Sequence, residues 1–338
     1  MHTPLRFAFA GLRHPHGWAL WNRISNHPDC EIVGVCEEHE ETRRELAERP
    51  DVDSVYDLYE DMVAAVPADV VATADYYGNR GRIACRALEE GRHVLTDKPV
   101  CASLADLDRM QELASSTGKV IGCQLDLRAL PQFHQARELM LGGEIGELHT
   151  IQFGGQHPFF CYQRADWYLD HASYGGVIND IAIHGIDILE WMTGMRFTQA
   201  VAARNWRAFK IAGSPFRDAA QMMLTMENGC GVLGDVSFTT PESTGFRLPY
   251  YWEFTFCGSK GILRMGLNHP TLDLTREGSA DIMAIPKRQE AIPDYFDHFM
   301  NELQGTPTDL DTATILSVSR KALLIQQAAD RDQRDVPL

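Results

Sequence analysis

Six short apolar runs alternate with helix-like segments over the first third of this chain, and that alternation restricts its fold more than any other feature. The runs cover residues 7–10, 31–36, 55–56, 69–73, 93–96 and 120–123. Between them, residues 18–24, 41–49, 57–65, 80–91 and 104–115 read as helices. Gly91 is a C-terminal stop, and Ser103 is an N-cap backed by Asp106. Strands joined through helices pair in parallel, because each crossover returns the chain to the same end of the sheet. The expectation is a Rossmann-type, doubly wound parallel sheet over residues 1–123, with the strand C-termini, and any ligand, gathered on one side.

After residue 124 the texture changes. A helix over 131–141 stops at Gly142-Gly143, a strand covers 148–152, and a helix carrying Asp180 and His184 runs to Gly194. Residues 199–209, 219–227, 229–237, 250–257 and 261–265 then read as strands. Asn228-Gly229 signals a type I′ hairpin turn, and 258–261 a further turn. Helices over 294–304 and 312–330 close the chain. Residues 124–338 are therefore expected to form an α+β domain with a large, open, mainly antiparallel sheet, serving substrate binding and oligomerisation.

The formal net charge of −16 excludes a nucleic-acid backbone or an anionic membrane as partner, since both require basic patches. No run is apolar for long enough to span a bilayer, and the N-terminus has no signal-peptide pattern. The eight cysteines are scattered with no Cys-x-x-Cys pair, which suits reduced thiols in a cytoplasmic protein.

The polar landmarks of the first domain fall at strand ends. Gly11 closes the first strand where a dinucleotide fingerprint, G-x-G-x-x-G, belongs. The chain reads Gly11-Leu12-Arg13-His14-Pro15-His16-Gly17, so only the first glycine is in place. Arg13 in the second slot either contacts phosphate through its guanidinium or blocks the site. Glu37 ends the second strand, where a carboxylate accepts from an adenosine ribose and favours NAD over NADP; its other reading is a solvated charge. Arg43 and Arg44 nearby leave NADP open. Thr73 ends the fourth strand and Thr96-Asp97-Lys98-Pro99 follows the fifth. Lys98 there can exchange a proton with a substrate hydroxyl. In Gly175-Gly176-Val177-Ile178-Asn179-Asp180-Ile181-Ala182-Ile183-His184, Asp180 and His184 share one helical face. They form either a proton-transfer pair or a capping Asp with a core histidine. Residues 156–168, with His157, Tyr162 and Trp167, mix aromatic and polar groups and suit either a sugar site or a loop packing its own aromatics. His14 and His16 flank Pro15, but their spacing demands no metal, and none is expected.

Together these features resemble the Gfo/Idh/MocA oxidoreductases (glucose–fructose oxidoreductase, inositol dehydrogenase and relatives). The family's Glu-Lys-Pro appears as Asp97-Lys98-Pro99, its Gly-Gly-x-x-x-Asp-x-x-x-His as Gly175-Gly176 with Asp180 and His184, and its Arg-x-x-Pro as Arg128-Ala129-Leu130-Pro131. Asp187, Trp191 and the turn Cys257-Gly258-Ser259-Lys260-Gly261 also match. The resemblance implies an NAD(P)-dependent dehydrogenase moving a hydride between nicotinamide and a secondary alcohol of a sugar, inositol or related polyol. Lys98, Asp180 and His184 would be catalytic. Gly11, Leu12, Arg13, His14, Glu37, Thr73, Asp97 and Lys98 would hold the cofactor. Arg128, His157, Tyr162, Trp167, Asn179 and Asp180 would meet the substrate. A homodimer or homotetramer through the C-terminal sheet is expected. Arg13, Asp97 and Arg80 depart from the family's glycine, glutamate and histidine. Two alternatives follow: a ligand-binding or regulatory member without catalysis, and a lyase, epimerase or hydrolase that recycles NAD within turnover.

Overall fold

The computed structural model describes residues 3–52, 55–160, 165–209, 215–249 and 251–338. Strands β1 (Leu5–Ala10), β2 (Cys30–Cys36), β3 (Val55–Tyr56), β4 (Val70–Thr73), β5 (His93–Asp97) and β6 (Ile121–Gln124) form one sheet in the order β3-β2-β1-β4-β5-β6. Every pair in it is parallel. Helices α1 (Gly17–Ser25), α2 (Glu40–Ala47), α3 (Tyr59–Ala65), α4 (Tyr77–Glu89) and α5 (Leu104–Thr117) make the crossovers. β4 is buried throughout and β1 over its last four residues, as strands covered on both faces must be. The order reverses between β1 and β4, and a doubly wound sheet opens its ligand crevice at such a reversal.

Local chemistry explains most helix ends. Ser103 accepts from the Asp106 amide at 3.1 Å to start α5, and Gly118 ends it at φ +66°. α4 begins three residues before the expected Arg80. The Asp75 carboxylate accepts the Tyr76 amide at 2.8 Å and the Asn79 amide side chain at 2.5 Å, which secures an earlier first turn.

The remaining elements are α6 (Pro131–Leu141), β7 (Leu148–Pro158), α7 (His171–Tyr174), a π-helical turn (Ile178–Ala182), α8 (Ile183–Thr193), β8 (Phe197–Trp206), β9 (Ala219–Met226), β10 (Gly231–Thr240), β11 (Glu253–Gly258), β12 (Gly261–Gly266), β13 (Thr271–Arg276), β14 (Met283–Pro286), α9 (Tyr295–Leu303), α10 (Thr312–Asp330) and β15 (Arg334–Pro337). Their strands form a nine-stranded sheet in the order β14-β13-β12-β11-β7-β10-β9-β8-β15. All its pairs are antiparallel except β7 with β10. Ile151, Phe153, Val232, Phe254 and Phe256 line its buried face. α8 lies so close to that face that a Cβ on Gly185 would come within 2.3 Å of the Phe153 ring.

Two details correct the sequence expectations, and a third concerns how the chain divides. The strands β13, β14 and β15 were not expected: β13 carries an alternation of buried Leu272 and Leu274 that was readable, whereas the mostly exposed β14 and β15 lack the apolar alternation that marks a strand. The Asn228-Gly229 hairpin is not type I′: of the two residues only Gly229 has positive φ, at +85°, and type I′ requires it at both. The C-terminal segment also divides. One compact unit comprises residues 1–124, 172–174 and 295–317, and the other comprises 125–171, 175–294 and 318–338. α9 belongs to the first because Gly122 of β6 leaves room for Phe299, whose ring would lie 2.6 Å from a Cβ there.

Candidate active site

In the first unit, the turn after β1 packs onto the end of β4. Gly11 has φ +80°, and a Cβ on it would stand 2.5 Å from the Asp75 Cβ, so only glycine fits. Glu37, wholly buried at the end of β2, accepts from the Leu12 amide at 2.9 Å, the Arg13 Nε at 3.2 Å and the His39 amide at 2.9 Å. Glu37 is thus an acceptor built into the crevice and not a solvated charge. The Arg13 Nε also stands 3.0 Å from an Asp75 carboxylate oxygen, and its guanidinium lies 4.8 Å over the Tyr76 ring. Burial raises the Asp75 pKa, against the opposing pull of Arg13. Asp75 was missed in the sequence, although it follows β4 as Lys98 follows β5. Thr73, expected at the cofactor, is buried, with its hydroxyl oxygen 3.5 Å from the Asp75 amide.

Rossmann turns ordinarily offer backbone amides to a pyrophosphate. Here most of them are engaged. Leu12 donates to Glu37, His14 to the Ala74 carbonyl at 2.8 Å and Gly17 to the His14 carbonyl at 2.9 Å. The residues still fit a dinucleotide. A glycine turn stands at the strand-order reversal, an acidic acceptor ends β2, and the Arg13 guanidinium stands where amide donors are missing.

Asp97 ends β5 as a buried hub. Its carboxylate meets the His14 Nδ1 and the Arg80 Nη2, each at 2.8 Å, and the His16 Nδ1 at 3.2 Å. Burial alone would raise its pKa, but Arg80 and the two imidazoles hold it well below the usual carboxylate range. Burial, against the pull of Asp97, lowers the His14 pKa to about 3, so the ring is neutral and donates. The Tyr77 hydroxyl meets the other His14 nitrogen at 3.2 Å. His14, expected at the cofactor, is therefore an interior residue; the ring near it that reaches the surface is His16. His14, His16 and Asp97 bring ligand atoms within 4.8 Å of one another, the one such cluster among the described residues. The Arg80 guanidinium on the same carboxylate makes it a hydrogen-bonded network, because a dication there would face a buried positive charge.

Arg80 is wholly buried and fastens the loop that carries Lys98. It donates to the carbonyls of Asp75 (2.7 Å), Asp97 (2.9 Å), Lys98 (2.6 Å) and Pro99 (3.1 Å). The Lys98–Pro99 peptide is cis. The Lys98 Nζ lies 5.9 Å over the Tyr77 ring.

The second unit carries the remaining residues. Gly175 and Gly176 have φ of +77° and +101°, and a Cβ on Gly176 would come 2.2 Å from the Gln326 Cδ. Gln326 accepts from the Ile178 amide at 2.9 Å, so the glycine pair seats a side chain that starts the helix. Asn179 and Asp180 lie on the π-helical turn and His184 on α8, so the expected uninterrupted α-helical face contains one widened turn. Such turns recur at functional sites. Arg128, expected at the substrate, is buried with its Nε and Nη2 on the Asp187 carboxylate at 2.6–3.1 Å. Removing that charge from water requires its partner, which explains Asp187 as well. Trp167 stacks on Tyr168 at 3.8 Å. His157 stands edge-on to Phe238, Phe246, Tyr251 and Trp252 at 5.0–6.0 Å. Tyr162 lies outside the described residues.

Two family models match the chain: an oxidoreductase family with an NAD-binding Rossmann fold over residues 5–125, and the GFO/IDH/MocA C-terminal domain over residues 133–264. The D-glucoside 3-dehydrogenase of Escherichia coli is 22% identical, covering 96% of this chain and 93% of its own. The scyllo-inositol 2-dehydrogenase (NAD(+)) of Bacillus subtilis is 25% identical, covering 94% and 93%. The solved structure of an inositol dehydrogenase homolog from Azotobacter vinelandii, complexed with NAD+, superposes with a TM-score of 0.81 at 19% identity over 99% of this chain and 98% of that one. The chain belongs to the Gfo/Idh/MocA family of NAD-dependent oxidoreductases.

Proposed function

We propose that this protein is a dehydrogenase that moves a hydride between NAD and a secondary alcohol or ketone of a polyol or sugar derivative, in keeping with the glucoside and inositol dehydrogenases it resembles. The observation that carries the reading is the Arg80 clamp. It gathers the carbonyls of residues 97–99 and so presents Lys98 at the C-terminal edge of the parallel sheet, the side on which such sheets bind ligands. Glu37 and the Arg13 guanidinium would hold the adenosine ribose and the pyrophosphate, and the acidic Glu37 favours NAD over NADP. When bound, nicotinamide accepts or returns the hydride. Lys98 of the first unit would hold or release the carbinol proton, and the second unit's His184, Asp180 and Asn179 carry the groups suited to proton transfer and to orienting substrate hydroxyls. The test is calorimetric titration with NAD(H), followed by a screen of inositols and glucosides read by NADH absorbance. Lys98→Ala is expected to abolish turnover while leaving circular dichroism unchanged. Lack of NAD(H) binding at millimolar concentration rejects the proposal.

A second reading draws on the engaged turn amides and on Arg13 within the crevice: a ligand-binding member without redox turnover. Binding of NAD(H) without any reduction across the screen favours it. Substrate consumption without NADH release favours a member that recycles the cofactor.

The exposed face of the nine-stranded sheet presents Met223 and Leu233, both nearly half exposed, in a broad concavity with Gln221, Asp235, Arg264 and Arg334. An antiparallel sheet with apolar residues on its outer face suits pairing with a second copy, and sedimentation equilibrium tests for a dimer or tetramer. No helix among the described residues is long and apolar enough to cross a membrane. The seven free thiols among the described residues fit the cytoplasm.

A further inference from the structure

Trp252 precedes β11 with φ +51°, a left-handed conformation that a bulky side chain adopts only when its surroundings compel it. Its indole is buried and forms a wall shared by two imidazoles. The His184 ring meets it at 5.7 Å and 77°, and the His157 ring at 5.6 Å and 87°. Three features hold the indole. Its ring covers Gly155 of β7, where a Cβ would come 2.8 Å from the Cη2 and Cζ3 atoms. Phe254 stacks behind it at 6.3 Å and 13°. The Trp252 carbonyl accepts from the Leu267 amide at 2.8 Å, which pins the strained backbone. Glycine at 155 and a left-handed tryptophan at 252 are unfavourable choices for strands taken separately. Together they place one flat aromatic surface against both rings.

We propose that Trp252 is a positioning residue that fixes the ring planes of His184 and His157, acting through them on the substrate and not touching it. This rests on the reading of His184 as a proton-transfer group. An imidazole in a helix–sheet interface has two rotatable bonds, and a proton-transfer group must hold its nitrogen within a narrow range of positions. Edge-to-face aromatic contacts supply that restraint without hydrogen-bonding the nitrogens the reaction uses.

The test needs neither cofactor nor substrate. Each histidine of the full-length protein is modified with diethyl pyrocarbonate, and its rate is read by peptide mass spectrometry. The variants are Trp252→Leu, Trp252→Phe and Gly155→Ala, each checked for folding by circular dichroism. Trp252→Leu and Gly155→Ala are expected to raise the rates of His184 and His157 severalfold. His134, which meets a different indole, Trp191, at 4.6 Å, keeps its wild-type rate. Trp252→Phe restores wild-type rates, because a flat ring remains. Unchanged rates at His184 in folded Trp252→Leu overturn the proposal. So does a uniform rise that includes His134, which marks general loosening. Failure of NAD(H) binding sinks the proposed function but leaves this readout untouched.

Discussion

Arg80 donates to the Asp97 carboxylate at 2.8 Å with both side chains wholly excluded from solvent. A buried guanidinium is tolerable only when its donors are satisfied. Arg80 meets the condition through one carboxylate oxygen and four carbonyls, so Arg80 and Asp97 act as one coupled pair. The imidazoles of His14 and His16 complete the shell of the same carboxylate.

Removing one partner therefore leaves a buried charge alone. Arg80→Met is expected to lower unfolding free energy by about 3–5 kcal/mol. Arg80→Met combined with Asp97→Asn costs less than the sum of the two single changes, because the pair leaves together. Urea denaturation of the four proteins measures the coupling, and strict additivity rejects it.

Arg13 decides whether the crevice accepts a dinucleotide. With the turn amides already engaged, its guanidinium is the strongest donor left for a pyrophosphate. Arg13→Gly is expected to weaken NAD(H) binding about tenfold, which is about 1.4 kcal/mol. ADP-ribose is expected to follow NAD(H), and adenosine to change little. Calorimetry checks the sign, and tighter binding by the glycine variant identifies Arg13 as a plug.

Gly176 combines φ +101° with contact against Gln326. Gly176→Ala is expected to destabilise by about 1–3 kcal/mol. Gly176→Ala with Gln326→Ala recovers the steric part and leaves the backbone strain. Thermal denaturation of both variants separates the two, and no recovery in the double variant shows that strain alone acts.

Acid stability has a named contributor. Burial, helped by Lys119, lowers the His93 pKa from 6.5 to about 4, and its Nδ1 accepts from the Val120 amide at 3.0 Å, which a protonated nitrogen cannot do. The unfolded chain therefore binds this proton first as pH falls. The stabilisation is complete above about pH 6.5 and is lost on acidification towards about pH 4. His93→Gln is expected to flatten the stability–pH curve over that range in denaturant titrations; an unchanged slope assigns the acid sensitivity elsewhere.

Legibility followed chain distance. Period and punctuation located the strands of the parallel sheet, the Gly11 turn, the Ser103 cap, the glycine pair before Asp180 and the placing of Lys98 after β5. β14 and β15 escaped because their side chains face water and carry no apolar alternation, whereas β13, also missed, alternates and was readable. Arg128 matched a family motif, yet its guanidinium lies on Asp187, a pairing that its immediate neighbours do not announce. Asp75 sat at a strand end like the other site residues and was readable by the same rule.

The amino-acid order alone determined the alternating architecture, the glycine demanded after β1 and the kinds of group available for proton transfer, because periodicity and backbone preference act between near neighbours. Only the tertiary structure decided that Glu37, Ala74 and His14 engage the turn amides, that Arg80 grips the loop of Lys98, and that Trp252 stands against His184. Each of these depends on which distant positions the sheets bring within bonding range.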